Sequence, residues 1–348
     1  METVWFAIVS AMLATYVVLD GFDFGAGIVH RFVARNDKER QTVLAAIGPV
    51  WDGNEVWLIA AGGILFMSFP RTYSTAFSGF YLALMIVLWL LILRGVAIGF
   101  RSHQENPLWR EFWDTVFSLA SALLAIVFGT ALGNLVRGVP LDLKGLSGMP
   151  LFTNFLPGRD PGIFDWYTTL VGLFALGLLA GHGALFLVWR TTGLVQERSR
   201  LLARQVWRVV VPLWVVVTLA TAWIQRDIFA NLLARPWSIF FVLIMLAGIW
   251  GVFKFLNDGR ELAAFLSSAA FLLGLMASTM VGNYPFWLRS TVDPSYGLTA
   301  ANTAAASYGL QVALLWFAVG IALAVGYFVN LFRSIRGKVG EDANGHGY

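Results

Sequence analysis

The chain has 348 residues, of which 58% are hydrophobic and 13% charged, with a net charge of +4 and no cysteine. Soluble domains carry about 25% charged residues, so this composition places the chain in a bilayer. The lack of cysteine excludes disulfides, thiolate metal sites and cysteine nucleophiles, and the modest positive charge reports membrane topology rather than nucleic-acid binding.

Nine apolar segments, in chain order, are long enough to cross: 5–29, 43–68, 77–98, 113–136, 164–189, 206–224, 237–256, 262–283 and 309–332. A crossing helix needs about 20 residues at about 1.5 Å each. The runs lack the alternation of barrel strands. No basic flank precedes the first run, which is also too long for a cleavable signal. Polar stretches at 137–163 and 284–308 divide the segments into four, four and one. The tail, 334–348, has the composition of a disordered end.

The basic residues are unevenly shared between the two sides. Of the 24 Lys and Arg, 17 fall on one side, near 31–40, 94–110, 190–208, 254–260 and 333–338; the other side holds Arg71, Arg137, Lys144, Arg159, Arg226, Arg235 and Arg289. The positive-inside rule makes the richer side cytoplasmic, which puts the N-terminus outside and the C-terminus in the cytoplasm.

Small residues predict where helices meet. Gly21/Gly25, Gly95/Gly99, Gly129/Gly133 and Gly177/Gly181 are G-x-x-x-G pairs that allow close approach. Trp5, Trp109, Trp113, Trp189, Trp207 and Trp237 stand near span ends and read as interfacial anchors.

Carboxylates interrupt two of the spans. LDGFDFGAGI, residues 19–28, holds Asp20 and Asp23; GPVWDGNEVWLIAAGG, residues 48–63, holds Asp52 and Glu55. Residues three apart share a helix face, so each pair points one way. Both pairs sit toward the cytoplasmic side, and Arg94 at the end of the third span is a counter-charge. Asp114 and Asn134 add polarity to the fourth span. Intramembrane charges are costly and mark ion or proton pathways. Asp20 and Asp114 also read as polar span ends, whereas Asp23 and Asp52 fit a hydrated interior.

Histidines are the usual haem and metal ligands, and there are four. His346 is in the tail, His103 in a loop, and His30 ends the first span. His182, in GLLAGHGALF, is the one candidate haem ligand; Gly181 and Gly183 would leave room for a flat ring. The methionines read as packing residues. No nucleotide loop or nucleophile motif occurs.

Taken together, LDGFDFGAGI, RFVARNDKER, GPVWDGNEVWLIAAGG and FSGFYLAL resemble subunit II of the cytochrome bd-type quinol oxidases. LRGVAIGFR at 93–101, GNLVRGVP at 133–140 and YPFWLRSTVDPSYGLTAANTAAASYGL at 284–310 continue the resemblance in order. It implies an all-α integral membrane fold of nine transmembrane helices. Those would form a first four-helix bundle (1–136), an outer loop (137–163), a second four-helix bundle (164–283), an outer loop (284–308), a peripheral ninth helix (309–333) and a cytoplasmic tail (334–348).

The resemblance further implies a complex in the bacterial plasma membrane that oxidises ubiquinol or menaquinol and reduces dioxygen to water. Its protons come from the cytoplasm. Haems b and d are expected in the partner, subunit I, and not in this chain; a small single-helix accessory subunit also belongs to some complexes. The family's proton route maps onto Asp23, Asp52 and Arg94, with Glu55 and Asp20 beside them. Trp51 resembles a surface where some members hold a structural quinone. Two other readings of the residues remain: an ion-coupled secondary transporter, which also uses paired bundles and buried carboxylates, and a haem-binding cytochrome resting on His182.

Overall fold

Every backbone polar group in a bilayer needs an internal partner, and long helices supply one. The computed structural model describes residues 1–143, 145, 148–335 and 337–340; Lys144, Arg336, His346 and the tail from 341 lie outside the described residues. The elements are α1 (Glu2–Val33), α2 (Asp37–Ile47), α3 (Trp51–Ser68), α4 (Pro70–Gly79), α5 (Tyr81–Phe100), α6 (Pro107–Arg137) and α7 (Trp166–Arg190). They continue with α8 (Gly193–Ile224), α9 (Arg226–Leu233), α10 (Ile239–Asn257), α11 (Glu261–Asn283), β1 (Phe286–Leu288), β2 (Leu298–Thr299), α12 (Ala300–Thr303) and α13 (Ser307–Ser334). Among the described residues, eight helices are long and apolar enough to cross: α1, α5, α6, α7, α8, α10, α11 and α13.

The segment expected to cross at 43–68 is not one helix. It breaks at Gly48–Val50, where Val50 leaves the helical region at φ −124°, ψ −26°. Residues up to Ile47 belong instead to the polar helix α2, whose first turn is capped by Asn36 accepting from the Glu39 N–H. The remaining part, α3, carries Asp52, Asn54 and Glu55 in its first five residues, which keeps it out of the set of eight. The sixth segment, expected at 206–224, begins at Gly193. Its first turns alternate charge with apolar residues, so hydropathy hides them while the helix continues.

Apart from α2, which has no counterpart in the second half, each half repeats one order of elements. A long helix is followed by a second, a short helix, and two more long ones: α1, α3, α4, α5, α6, then α7, α8, α9, α10, α11. The halves meet where α1 crosses α7. A Cβ on Gly25 would lie 2.0 Å from the Leu179 carbonyl oxygen, and one on Gly183 would lie 2.2 Å from the Gly25 carbonyl carbon. No side chain larger than hydrogen fits at either position. Gly129 and Gly133 meet α7 in the same way, through Gly172 and Thr168. The pair Gly95/Gly99 behaves differently: Gly95 faces the Trp51 ring and Gly99 opens into free space.

The stretches 137–163 and 284–308 pack on each other at the end remote from the basic loops. Val139, Leu141, Met149, Ile163, Leu288 and Leu298 form one buried cluster there, beneath the antiparallel ribbon β1–β2. Val139 N–H also bonds the Arg289 carbonyl. Below them Asp165 caps α7, accepting from the Thr168 N–H at 2.8 Å, and receives a buried ion pair from Arg137. The final helix, α13, lies along the outside, touching the body through Phe317 and Phe328 against Trp5 and Trp57.

Two of the tryptophans expected at the interface are core residues. Trp5 is fully buried and donates to the Leu310 carbonyl at 3.1 Å. Trp207 is fully buried against Gly181. Because α8 begins at 193, Trp207 sits four turns inside that helix rather than at its end, at about 3.6 residues per turn.

Candidate functional site

The buried carboxylates of α1 meet α3 and α5 in one cluster. Asp20 and Asp23 are fully enclosed, as is Arg94. Arg94 Nη1 donates to Asp20 Oδ1 at 2.7 Å, and Nη2 reaches Glu55 Oε2 at 3.5 Å. The guanidinium lies over the Phe24 ring, 4.4 Å from its centroid. Asn54 Nδ2 donates to Asp23 Oδ2 at 2.8 Å and to the Leu19 carbonyl at 3.3 Å. Opposite charge and an amide donor each compensate part of the desolvation of a carboxylate in this setting. Four atoms remain without partners among the described residues: Asp20 Oδ2, Asp23 Oδ1, Asn54 Oδ1 and Arg94 Nε.

The cluster unites Asp20, Asp23, Glu55 and Arg94, and it leaves Asp52 outside. Asp52 is exposed on α3. The side chain that faces Asp23 is Asn54. Asp20, which also read as a span-end group, is instead a direct partner of Arg94. Spacing of three identifies pairs on one face, but it does not say which face of α3 turns inward. Trp51 is half-buried over Gly95, and its Nε1 has no partner among the described residues.

A second buried cluster lies at the basic end. His30 Nε2 is 2.8 Å from Asp114 Oδ1, and Arg101 Nε donates to the same oxygen at 2.6 Å. Arg40 Nη1 is 3.2 Å from Asp114 Oδ2 and also pairs with Glu111. Arg101 continues to Asp37 at 2.7 Å and Gln41 at 3.0 Å. No spacing in the sequence joins these residues, since they come from α1, α2, the turn after α5, and α6. Asp114 read as a polar span end, yet it is enclosed.

His182 does not offer the geometry of a haem ligand. Its Nδ1 is 2.7 Å from Ser268 Oγ and its Nε2 is 3.0 Å from the Val18 carbonyl, so both ring nitrogens are engaged. The ring stacks on Phe265 at 5.0 Å. The clearance expected beside it is filled, at Gly181 by Trp207 and at Gly183 by α1. Among the described residues no three His, Asp or Glu side chains gather as a metal site. The donors around His182 do not fit a haem.

Residues 1–335 match the family model described as cytochrome bd terminal oxidase subunit II. The chain is 31% identical to the cytochrome bd ubiquinol oxidase subunit 2 of Bacillus subtilis, over 90% of this chain and 89% of that one. It is 29% identical to a probable cytochrome oxidase subunit 2 of Haemophilus influenzae, over 98% and 95%. Identity to the cytochrome bd-I ubiquinol oxidase subunit 2 of Escherichia coli K12 is 39%, over 58% of this chain and 52% of that one. The fold matches a chain in the structure of the bd oxidase from Geobacillus thermodenitrificans with a TM-score of 0.73 at 18% identity, covering 95% and 97%. Sequence along nearly the whole chain and fold thus agree, and the chain belongs to the cytochrome bd terminal oxidase subunit II family.

Proposed function

We propose that this chain is the haem-free subunit of a quinol oxidase, supporting its assembly and delivering protons from the cytoplasm toward dioxygen reduction in subunit I. The observation that carries this reading is the enclosed set Asp20, Asp23, Asn54, Glu55 and Arg94, with open acceptor atoms on both aspartates. A purely structural ion pair would be expected to leave fewer oxygens unsatisfied. Glu55 is partly exposed and Asp52 exposed, which makes α3 the aqueous or partner-facing approach to the cluster. Cytochrome bd oxidases use haem, and we place those groups in the partner, a reading supported by the engagement of both His182 ring nitrogens. Trp51, whose buried Nε1 has no partner among the described residues, is the residue we place beside a structural quinone. The orientation that serves this role has α3 as the ninth crossing, the N-terminus outside and the C-terminus in the cytoplasm. Family membership favours this reading over ion-coupled transport.

The test is Asp23→Asn in the assembled complex, which keeps shape and removes the titrating group. The haem spectrum is expected to be unchanged while quinol-driven oxygen consumption falls about a hundredfold or more, in line with loss of one proton-transferring group. Full turnover with unchanged cytoplasmic proton uptake would overturn the assignment.

A further inference from the structure

His30 and Ser121 extend the buried polar groups of α1 toward the basic end. His30 is fully enclosed, and Phe117 meets its ring edge-on at 5.4 Å. Its Nε2 faces Asp114, a carboxylate that also binds Arg101 and Arg40. A carboxylate held by two guanidinium groups is an acceptor, so the imidazole proton sits on Nε2. Nδ1 then carries a lone pair, and it has no partner among the described residues.

Positions 23, 27 and 30 of α1 share a face, since 3.6 residues make a turn. Gly27 lies between the two titratable side chains. A Cβ there would come 2.1 Å from Ser121 Oγ, so that hydroxyl rests directly against α1. Ser121 Oγ is enclosed and has no partner among the described residues, like Asp23 Oδ1 above it and His30 Nδ1 below. Asp23 and His30 are two turns apart, about 10 Å along the axis, and Ser121 stands midway. The glycine makes this track, because any side chain at 27 would displace the hydroxyl.

Resting on the proton-delivery reading above, we infer that His30, held by Asp114, is a proton station that feeds Asp23 through Ser121 along the α1–α6 contact, separately from the α3 approach at Asp52 and Glu55. The step is proton transfer alone. Nδ1 takes a proton from the aqueous side, forming an imidazolium paired with Asp114. The Nδ1 proton then passes to Ser121 Oγ as the hydroxyl releases its own proton toward Asp23 Oδ1, and the imidazole returns to neutral. The charged groups around the ring are Arg31 from α1, Arg40 from α2, Arg101 from the turn after α5, and Glu111 and Asp114 from α6.

The experiment measures oxygen consumption against pH for the complete complex in membrane vesicles, comparing His30→Gln, Ser121→Ala and Asp23→Asn, with haem content read from the spectrum. His30→Gln should lower turnover about a hundredfold or more, the order expected for one proton-transferring group, and remove one ionisation from the pH profile. Ser121→Ala, a one-atom deletion, should slow turnover less and keep that ionisation. If Asp23→Asn is slow while His30→Gln and Ser121→Ala keep full turnover and an unaltered pH profile, the His30 station is overturned and the proton role of Asp23 stands. If Asp23→Asn is also fully active, both fall. If His30→Gln loses haem, full turnover of Ser121→Ala counts against the track and slowed turnover for it.

Discussion

Arg94 holds two acidic partners inside the bundle, Asp20 and Glu55, and its replacement separates pairing from packing. Removing one member of a buried ion pair costs about 3–5 kcal/mol, because the other charge is left uncompensated. Arg94→Leu is therefore expected to cut the yield of folded complex sharply. Arg94→Leu with Asp20→Asn should recover much of it, since the fully buried one of the two stranded charges is gone; a double variant no better than the single one would show that the guanidinium acts through packing on Phe24. Glu39, in the polar helix α2, tests pH. Although burial raises its pKa, the Arg35 N–H at 2.6 Å and Arg198 at 2.6 Å hold its carboxyl below the ordinary value. A carboxylate so lowered adds stability above its unfolded pKa of about 4.3, and that stability is lost as pH falls through the folded value. Thermal unfolding of Glu39→Gln should start from a lower midpoint at pH 7 and lose less than the parent between about pH 4.5 and pH 3. Parallel curves would exclude the ion pair as the cause.

Helix contacts show how far the sequence could be read. The G-x-x-x-G pairs of α1 and α6 were legible because backbone contact in lipid requires small residues at that spacing. The partner of Gly25 was not legible: Gly183 lies 158 positions away and outside any such pair in the sequence. The same limit applies to the site. Asp20, Asp23 and Arg94 stood out as charges in apolar runs, but Asn54 is uncharged and His30 and Asp114 sat near apparent span ends. Whether such a residue is buried depends on neighbours from three other elements. Gly25→Ala places a methyl 2.0 Å from a backbone oxygen, so α1 and α7 must separate. Overpacking of this kind costs about 1–3 kcal/mol or more, and the variant should assemble poorly. Gly62→Ala, with open space around it, should leave the fold of this chain unchanged. Equal yields for the two would mean that the crossing is not tight.

As a member of the cytochrome bd family, the chain is a subunit of a respiratory oxidoreductase and a multi-pass protein of the bacterial inner membrane. Its two ends differ in chemistry. The basic end carries α2, the turn after α5, and the charged start of α8, tied by Arg101–Asp37, Arg110–Asp37 and Arg198–Glu39. The opposite end is a cap of β1–β2 and the 137–163 segment, poor in cations. Orientation decides whether the carboxylate cluster opens toward the proton source, so it bears directly on the proposed role. The lack of cysteine makes the measurement simple, because one introduced thiol is the only one present. Ser295→Cys lies on the cap and Ser102→Cys at the basic end, both at exposed positions. In intact cells an impermeant maleimide should label Ser295→Cys, and Ser102→Cys only after the membrane is opened. The reverse pattern would put the basic end outside, against the charge bias, and would leave Asp23, His30 and Asp114 facing the wrong compartment for proton uptake.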